Sequence, residues 1–436
     1  SLFIVTKRSL SVGTYRLRFV FFDGENEIGQ CLYTVIVTDK ALPESDLFVT
    51  HWLHADCIAE THRVRIFGEA FWRIFKKYLL TATEHGMTML LVPAFTPPLD
   101  TKEGEERLTA QLVKVRERAG RYEFDFSLLG RYLDTAKKCG IRYFEFAPIV
   151  TQWGAKHAPK IVVTTDSGTE EKRFGWETDS TDDGYLCFLR EYFCALRKFI
   201  LGRKMIKNSF FHISDEPNAE AVGRYRVLRG VLKDCFPEAK VIDTVSEYEF
   251  YREAEIDLPV AALERADAFA EKSQNYMIYY CMAQRNEFVA NSFLFTPPER
   301  VRILGLQLYL NGACGFLHWG YNYYKSGLSL ENVNPYCVTD CGGCFQSGDA
   351  FLVYPGAKTV YSSLREEYLA EAVDDYRLCK LLEKKIGREA VCRLLSGCGM
   401  HGYKEYIHSA AWLSEVRRKL TDACLGNGAD CQNSMI

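Results

Sequence analysis

Two kinds of hydrophobic pattern alternate along most of this chain. From Asp46 onward, short apolar runs bounded by turn residues give way to longer stretches with apolar residues every third or fourth position, and then the runs return. The runs predict strands at LFVTHWLHA (47–55), GMTMLLVPA (86–94), GIRYFEFAPIV (140–150), NSFFHISD (208–215), AKVIDTVS (239–246), LPVAAL (258–263), NYMIYYCM (275–282) and GACGFLHWG (312–320). The stretches between them predict helices, among them FGEAFWRIFKKYLLTATEHG, FSLLGRYLDTAKKCG, YLCFLREYFCALRKFILGR, AEAVGRYRVLRGVLKDCF and PPERVRILGLQLYLNG. Several end in glycine after a basic last turn, a normal helix stop. Eight strands with interposed helices predict an α/β fold, a (β/α)8 TIM-type barrel over 47–355. The alternative, a doubly wound open sheet, calls for a glycine-rich phosphate turn after an early strand, and no GxGxxG occurs.

The flanks follow other rhythms. Within residues 1–46, TYRLRFVFF and QCLYTVIVTD partly alternate, with turn chemistry in DGENEIG between them. They predict a partial N-terminal β-domain of about three strands, too few for an independent sandwich, joined to the barrel by ALPESD (41–46). Beyond 356, SSLREEYLAEAVDDYRLCKLLEKKIG and REAVCRLLSG predict a C-terminal helical extension packed on the barrel. A polar tail from about Gly426 is expected to be loose.

Composition narrows the function classes. Of 436 residues, 47% are apolar and 14% aromatic, enough for a large core rather than disorder. The net charge is −3 and no basic stripe recurs, which argues against nucleic acid as the main partner. No apolar run approaches the roughly 18 residues of a membrane span, and SLFIVTKRSL lacks the apolar core of a signal peptide. Most of the sixteen cysteines stand singly in apolar segments (Cys187, Cys194, Cys281, Cys314) and read as small buried hydrophobes. That usage suits a reducing, cytoplasmic setting. Cys341-Gly-Gly-Cys344 has no second CxxC or His pair beside it, so it reads as loop thiols rather than a zinc site.

A barrel of this kind carries its active site at the C-terminal ends of its strands. Those ends are rich in aromatic and polar residues: His51, Trp52 and His54 after the first, FTPPLD (95–100) after the second, Gln152, Trp153 and His157 after the third. Asp215 and Glu216 follow the fourth, Tyr248 the fifth, Tyr279 and Tyr280 the seventh, and His318, Trp319 and Asn322 the eighth, while FGWETD adds Trp176. Sugar rings stack their C–H faces on aromatic faces while their hydroxyls need directed polar partners, so this mixture describes a sugar site. The candidate binding residues are His51, Trp52, Gln152, Trp153, His157, Trp176, Tyr248, Tyr280, Trp319 and Asn322. The plain alternative is that the tryptophans plug the barrel mouth, the histidines are structural and FGWETD packs on itself. His51, His54 and His157 make a poor metal triad, being irregularly spaced with no HExxH pair.

The stretch FFHISDEPN (210–218) sets two carboxylates side by side where a buried strand ends. Like charges there cost stability unless something uses them. The plain reading is a pair of solvated or capping acids. Against it, the acids follow directly on a buried run, and Pro217 disfavours the helical region for Glu216 and is expected to hold it extended. A partly desolvated Glu216 beside an anionic Asp215 should be pushed up toward the working range of a general acid for a glycosidic oxygen. Neighbouring strand residues face opposite ways, so adjacent acids are badly placed to flank one bond across the roughly 5–5.5 Å of an ordinary retaining pair. A division of labour suits them better. Glu216 serves the glycosidic oxygen, and Asp215 holds a substrate 2-acetamido group whose carbonyl oxygen attacks C1.

The chain resembles glycoside hydrolase family 123, the β-N-acetylgalactosaminidases and the broader group around them. The resemblance runs from about Asp46 to 390 and rests on HWLHADCIA, FTPPLDT, FEFAPIVTQWGAKHAPK, FGWETD, FHISDEP, FLHWGYNYY, SGDAFLVYPG and the helix SSLREEYLAEAVDDYRLCKLLE. It implies an N-terminal β-sandwich, of which 1–46 would be a remnant, and a catalytic barrel with no metal or organic cofactor. It implies that Asp215 stabilises the oxazolinium-forming acetamide and that Glu216 is the general acid/base. The expected activity is retaining, exo-acting removal of terminal β-linked N-acetylgalactosamine from a glycan or glycoconjugate by substrate-assisted catalysis. The alternatives are a hexosaminidase or glycosidase for another sugar, a non-catalytic carbohydrate-binding barrel, and a metal-dependent hydrolase.

Overall fold

The computed structural model describes residues 10–284 and 289–426; the expected tail beyond Gly426 lies outside the described residues. All eight expected barrel strands form: Phe48–His51, Met89–Val92, Tyr143–Phe146, Ser209–Phe211, Lys240–Val245, Leu258–Ala262, Met277–Tyr279 and Gly315–His318. They pair in parallel into a closed barrel, each beside its neighbour in sequence, and Gly315–His318 returns to Phe48–His51. Closure excludes the open doubly wound sheet. Alternation along the strands sorts the side chains. Trp52, Met89, Leu91, Phe210, Ile242, Val260, Met277 and Leu317 fill the interior, while Val49, Leu90, Phe144, Phe211, Val241 and Phe316 pack outward under the helices. Gly315 is needed at the seam, because a Cβ there would lie 2.3 Å from the Phe48 carbonyl oxygen.

The helical periodicities resolve into Glu69–Glu84, Ser127–Lys138, Asp183–Gly202 and Val222–Cys235, with PPERVRILGLQLYLNG broken into Pro298–Arg302 and Leu304–Asn311. The C-terminal extension supplies Leu364–Ile386, Arg388–Gly397 and Ala410–Leu425. Leu364–Ile386 lies so close to Leu304–Asn311 that a Cβ on Gly305 would fall 1.7 Å from the Ala372 carbonyl oxygen.

Three features depart from the sequence pattern. Among the described residues, the N-terminal segment forms one antiparallel hairpin, Gly13–Asp23 with Asn26–Val37, rather than about three strands. The loops after the second and third barrel strands build an unforeseen four-stranded sheet from Lys114–Arg118, Arg121–Asp125, Ile161–Thr164 and Glu170–Phe174. Its strands are short and mostly solvated, so they leave little hydrophobic signature. Cys187 and Cys194 are exposed on their helix rather than buried. Cys341 is buried and Cys344 exposed, and both are free thiols.

Candidate active site

A cavity of about 300 Å3 opens at the C-terminal ends of the strands. Asp215 and Glu216 both line it, with Trp52, Gln152, Trp153 and Trp319 of the expected binding residues. The two acids share a cavity because Glu216 is not extended. Its φ is +45°, in the left-handed region. Pro217 removes the right-handed option, and the surroundings hold the other one. The Glu216 N–H donates to Thr244 Oγ1 at 3.0 Å, and the Trp153 N–H donates to the Asp215 carbonyl at 2.9 Å. The left-handed residue cancels the strand alternation that would have sent the acids to opposite faces.

Each carboxylate is held by neutral donors. Asp215 Oδ1 accepts from the Thr244 hydroxyl at 2.5 Å. Glu216 Oε1 accepts from the Tyr279 hydroxyl at 2.6 Å, and Oε2 from Trp153 Nε1 at 3.3 Å. Burial and the adjacent Glu216 charge push the Asp215 carboxyl up to about 7. The sequence expectation placed an upward shift on Glu216; in the fold a raised carboxyl is found at Asp215, held by Thr244 of the fifth strand.

Beneath the pair lies a buried charge network that the sequence did not point to. His212 is sandwiched between Asp243 Oδ1 at 2.9 Å from Nδ1 and Glu145 Oε2 at 3.0 Å from Nε2. The two carboxylates outweigh the cost of burial and push the imidazole up to about 10, which favours its charged form. Thr50 donates to the other Glu145 oxygen. Asp243 Oδ2 accepts from the Tyr225 hydroxyl at 2.5 Å and from the Ile213 N–H at 3.1 Å, which anchors the backbone leading into Asp215. The Trp52 ring, on the cavity floor, meets His212 edge-on at 5.7 Å.

The other wall carries His54, Asp100, Asp349 and Phe345. His54 is buried and its imidazole falls to about 3, from burial and the Arg107 charge, so it is neutral. Arg107 Nη2 donates to its Nδ1 at 3.1 Å, which leaves the proton on Nε2 for the Trp319 carbonyl at 3.0 Å. Arg107 grips Asp56 through two 2.8 Å hydrogen bonds. Asp349, fully buried, accepts from Trp319 Nε1 at 3.1 Å and the Met282 N–H at 3.0 Å and so orients the indole.

Six expected binding residues lie away from the cavity, for identifiable reasons. His51 and Tyr280 stand one register position from Trp52 and Tyr279, so alternation turns them outward, His51 onto Tyr321 and Tyr280 onto Phe316. Tyr248 begins the helix Tyr248–Ala254 and packs on Tyr251 and Phe269. His157 packs on Trp176, whose indole donates to the Glu105 carbonyl at 2.9 Å. Asn322 is buried and clasps the His54 backbone, accepting its N–H at 2.8 Å and donating to its carbonyl at 3.1 Å. Conversely, the cavity uses residues the sequence reading did not select: Asp100, Thr244, Tyr279, Cys281, Phe345 and Asp349. Tyr279 was within reach, because an inward Phe210-like register along the seventh strand distinguishes it from Tyr280. Asp349 and Phe345 come from a distant loop and carried no local signal.

The glycoside hydrolase 123 catalytic-domain model matches residues 52–382. No curated protein matches the chain. Among solved structures, a family 123 glycoside hydrolase from Clostridium perfringens, described in connection with glycolipid glycan hydrolysis, superposes with a TM-score of 0.72 at 16% identity. That match covers 96% of this chain and 77% of the other, and it shows the shared fold. A family 5 mannosidase from Rhizomucor miehei (TM-score 0.43, 13% identity, 84% of this chain and 97% of that one) is too loosely alike to bear on the site. The same holds for a β-galactosidase from Bacillus circulans sp. alkalophilus (TM-score 0.43, 10% identity, 86% and 63%). The family match spans seven of the eight barrel strands and every residue of the cavity wall, so this chain belongs to glycoside hydrolase family 123 and is a glycoside hydrolase acting on glycans.

Proposed function

We propose that the protein is a retaining exo-β-N-acetylgalactosaminidase that uses the substrate's own acetamide as nucleophile. The observation that carries this reading is the adjacent pair Asp215–Glu216, both on one cavity wall and each fixed by separate neutral donors. Side by side, they serve two neighbouring atoms of one sugar rather than two faces of one bond.

In this mechanism the acetamide carbonyl oxygen attacks C1 and the C1–glycosidic oxygen bond breaks. The leaving oxygen takes the proton of Glu216. Asp215, with Oδ1 held by Thr244, accepts the acetamide N–H and balances the positive charge of the oxazolinium ion. Water then attacks C1 and gives its proton to Glu216, the C1–oxygen bond of the oxazolinium ring opens, and the acetamide reforms. Two inversions leave the β configuration unchanged. An acetamide N–H bound to Asp215 favours its ionised form, which burial and the Glu216 charge otherwise oppose.

The test is a panel of aryl glycosides: 2-acetamido-2-deoxy-β-galactoside, its gluco epimer, and the β-galactoside lacking the acetamide. Substrate assistance requires cleavage of the first and near inertness of the last. Equal rates on those two would eliminate the mechanism, and preference for the gluco epimer would reassign the sugar.

A further inference from the structure

Asp100 occupies a point where the loop after the second barrel strand meets the loop following the eighth. Its backbone is left-handed (φ +41°), and the residues it touches, Leu328 and Ser329, are left-handed too (both φ +57°). Such conformations are strained in residues other than glycine and persist where surroundings over-determine them, often at ligand clamps. Here the restraint is dense. Asp100 Oδ2 accepts from the Tyr323 hydroxyl at 2.5 Å and from the Leu328 N–H at 3.0 Å. The Asp100 carbonyl accepts from Ser329 Oγ at 2.6 Å, and its N–H donates to Gln152 Oε1.

All of this fixes one carboxylate oxygen and leaves the other open. Asp100 is half-buried and lines the cavity with Trp153, Asp215, Glu216, Trp319 and Phe345. Its Oδ1 has no hydrogen-bond partner among the described residues. The nearby cation is already committed, because Arg107 is gripped by Asp56. A free carboxylate oxygen keeps its acceptor capacity for a ligand that enters the cavity, and a strained, tethered backbone does not place it there for packing alone.

We propose that Asp100 is a specificity-determining residue whose free oxygen accepts a hydrogen bond from a ring hydroxyl of the terminal sugar. The inference rests on the reading of this cavity as the seat of a terminal N-acetylhexosamine. A cavity of about 300 Å3 matches the lower end of small-molecule sites, so a single ring fills it and brings its hydroxyls to the walls. A hydroxyl donating to a carboxylate is a charge-assisted bond, stronger than a neutral one and strict about which epimer supplies it.

The experiment is an enzyme–substrate cycle. Asp100→Asn keeps the shape and an oxygen for Tyr323 and Leu328 but replaces the free acceptor with a donor. Wild type and variant are compared on the aryl 2-acetamido-2-deoxy-β-galactoside and on its 3-, 4- and 6-deoxy forms. The variant is expected to lose about 10- to 100-fold in kcat/KM on the parent and to equal the wild type within about twofold on one deoxy form. Loss of the same size on the parent and all three deoxy forms, or no loss at all, overturns the proposal. Tyr323→Phe releases the tether but keeps the carboxylate, and it is expected to blunt discrimination at that same hydroxyl. A uniform loss in that variant counts against the proposal even if Asp100→Asn does not fold. The cycle is also read by calorimetric binding of 2-acetamido-2-deoxy-galactose and its deoxy forms. An enzyme that binds with this pattern yet fails to cleave the glycoside contradicts the functional reading and not the role of Asp100.

Discussion

The barrel mouth and the C-terminal helical layer both bury carboxylates, and they treat them in opposite ways. In the layer, burial pushes Glu366 up to about 8 and Asp375 up to about 7, and each is answered by a cation. Asp375 takes Arg302 through hydrogen bonds of 2.7 and 3.0 Å and Arg417 at 3.2 Å. Glu366 takes the Tyr321 hydroxyl at 3.0 Å, with His85 at 3.9 Å. At the mouth, burial pushes Asp215 to a similar value, yet among the described residues the Asp215 and Glu216 carboxylates receive a hydroxyl, a phenol and an indole rather than a cation. His212, whose charge reaches Asp215, is held between Glu145 and Asp243. An acid that pins helices is neutralised by its partners. Under the proposed mechanism the acids at the mouth exchange protons with a substrate, and their donors orient them without quenching them.

The strongest way to break this contrast is to remove each charge and watch which property falls. Glu216→Gln is expected to lower kcat/KM by about 10³-fold on glycosides with poor leaving groups, and far less on activated aryl glycosides. Its thermal midpoint should stay close to wild type, since the amide oxygen can still accept from Tyr279 and only the long 3.3 Å bond from the Trp153 indole is lost. A large drop in the midpoint would show that the mouth acids are structural after all. Arg302→Ala should show the reverse, losing about 3 kcal/mol in denaturant unfolding because buried Asp375 loses its bidentate partner and keeps the partly exposed Arg417, with kcat/KM unchanged. The smallest effect concerns pH. The pair needs one bound proton, and the carboxyl that burial has raised holds it up to about 7, so kcat/KM should fall as pH rises through that value. Asp215→Asn removes the neighbouring charge that favours proton retention, and the alkaline limb of its residual activity should move to lower pH. A limb that stays in place would place the titrating group elsewhere.

Much of the site was legible because its parts are local. The pair Asp215–Glu216 stands out as two acids after an apolar run, and Trp52, Gln152, Trp153 and Trp319 follow from lying at strand ends. The misses have two causes. His51 and Tyr280 are off by one register position, and in a strand one position decides between the cavity and the helix layer. Asp100, Asp349, Glu145 and Asp243 gain their meaning from partners far along the chain, such as Tyr323 for Asp100 and His212 for Glu145. A lone Asp or Glu in a sequence carries no mark of the donor it will meet.

The sequence by itself determined the eight-strand barrel, its helices and the end of the barrel that carries chemistry, because hydrophobic periodicity is set residue by residue. It also determined that two carboxylates stand together at the fourth strand's end. Only the tertiary structure decided that both face one cavity, since that depends on a left-handed Glu216 held by Thr244 and on Trp153 tied to the Asp215 carbonyl. It alone decided which acid is pushed up, because desolvation and Coulomb interactions depend on what surrounds a group in space. Sequence order sets which groups exist and how they alternate; closure of the barrel sets which of them meet.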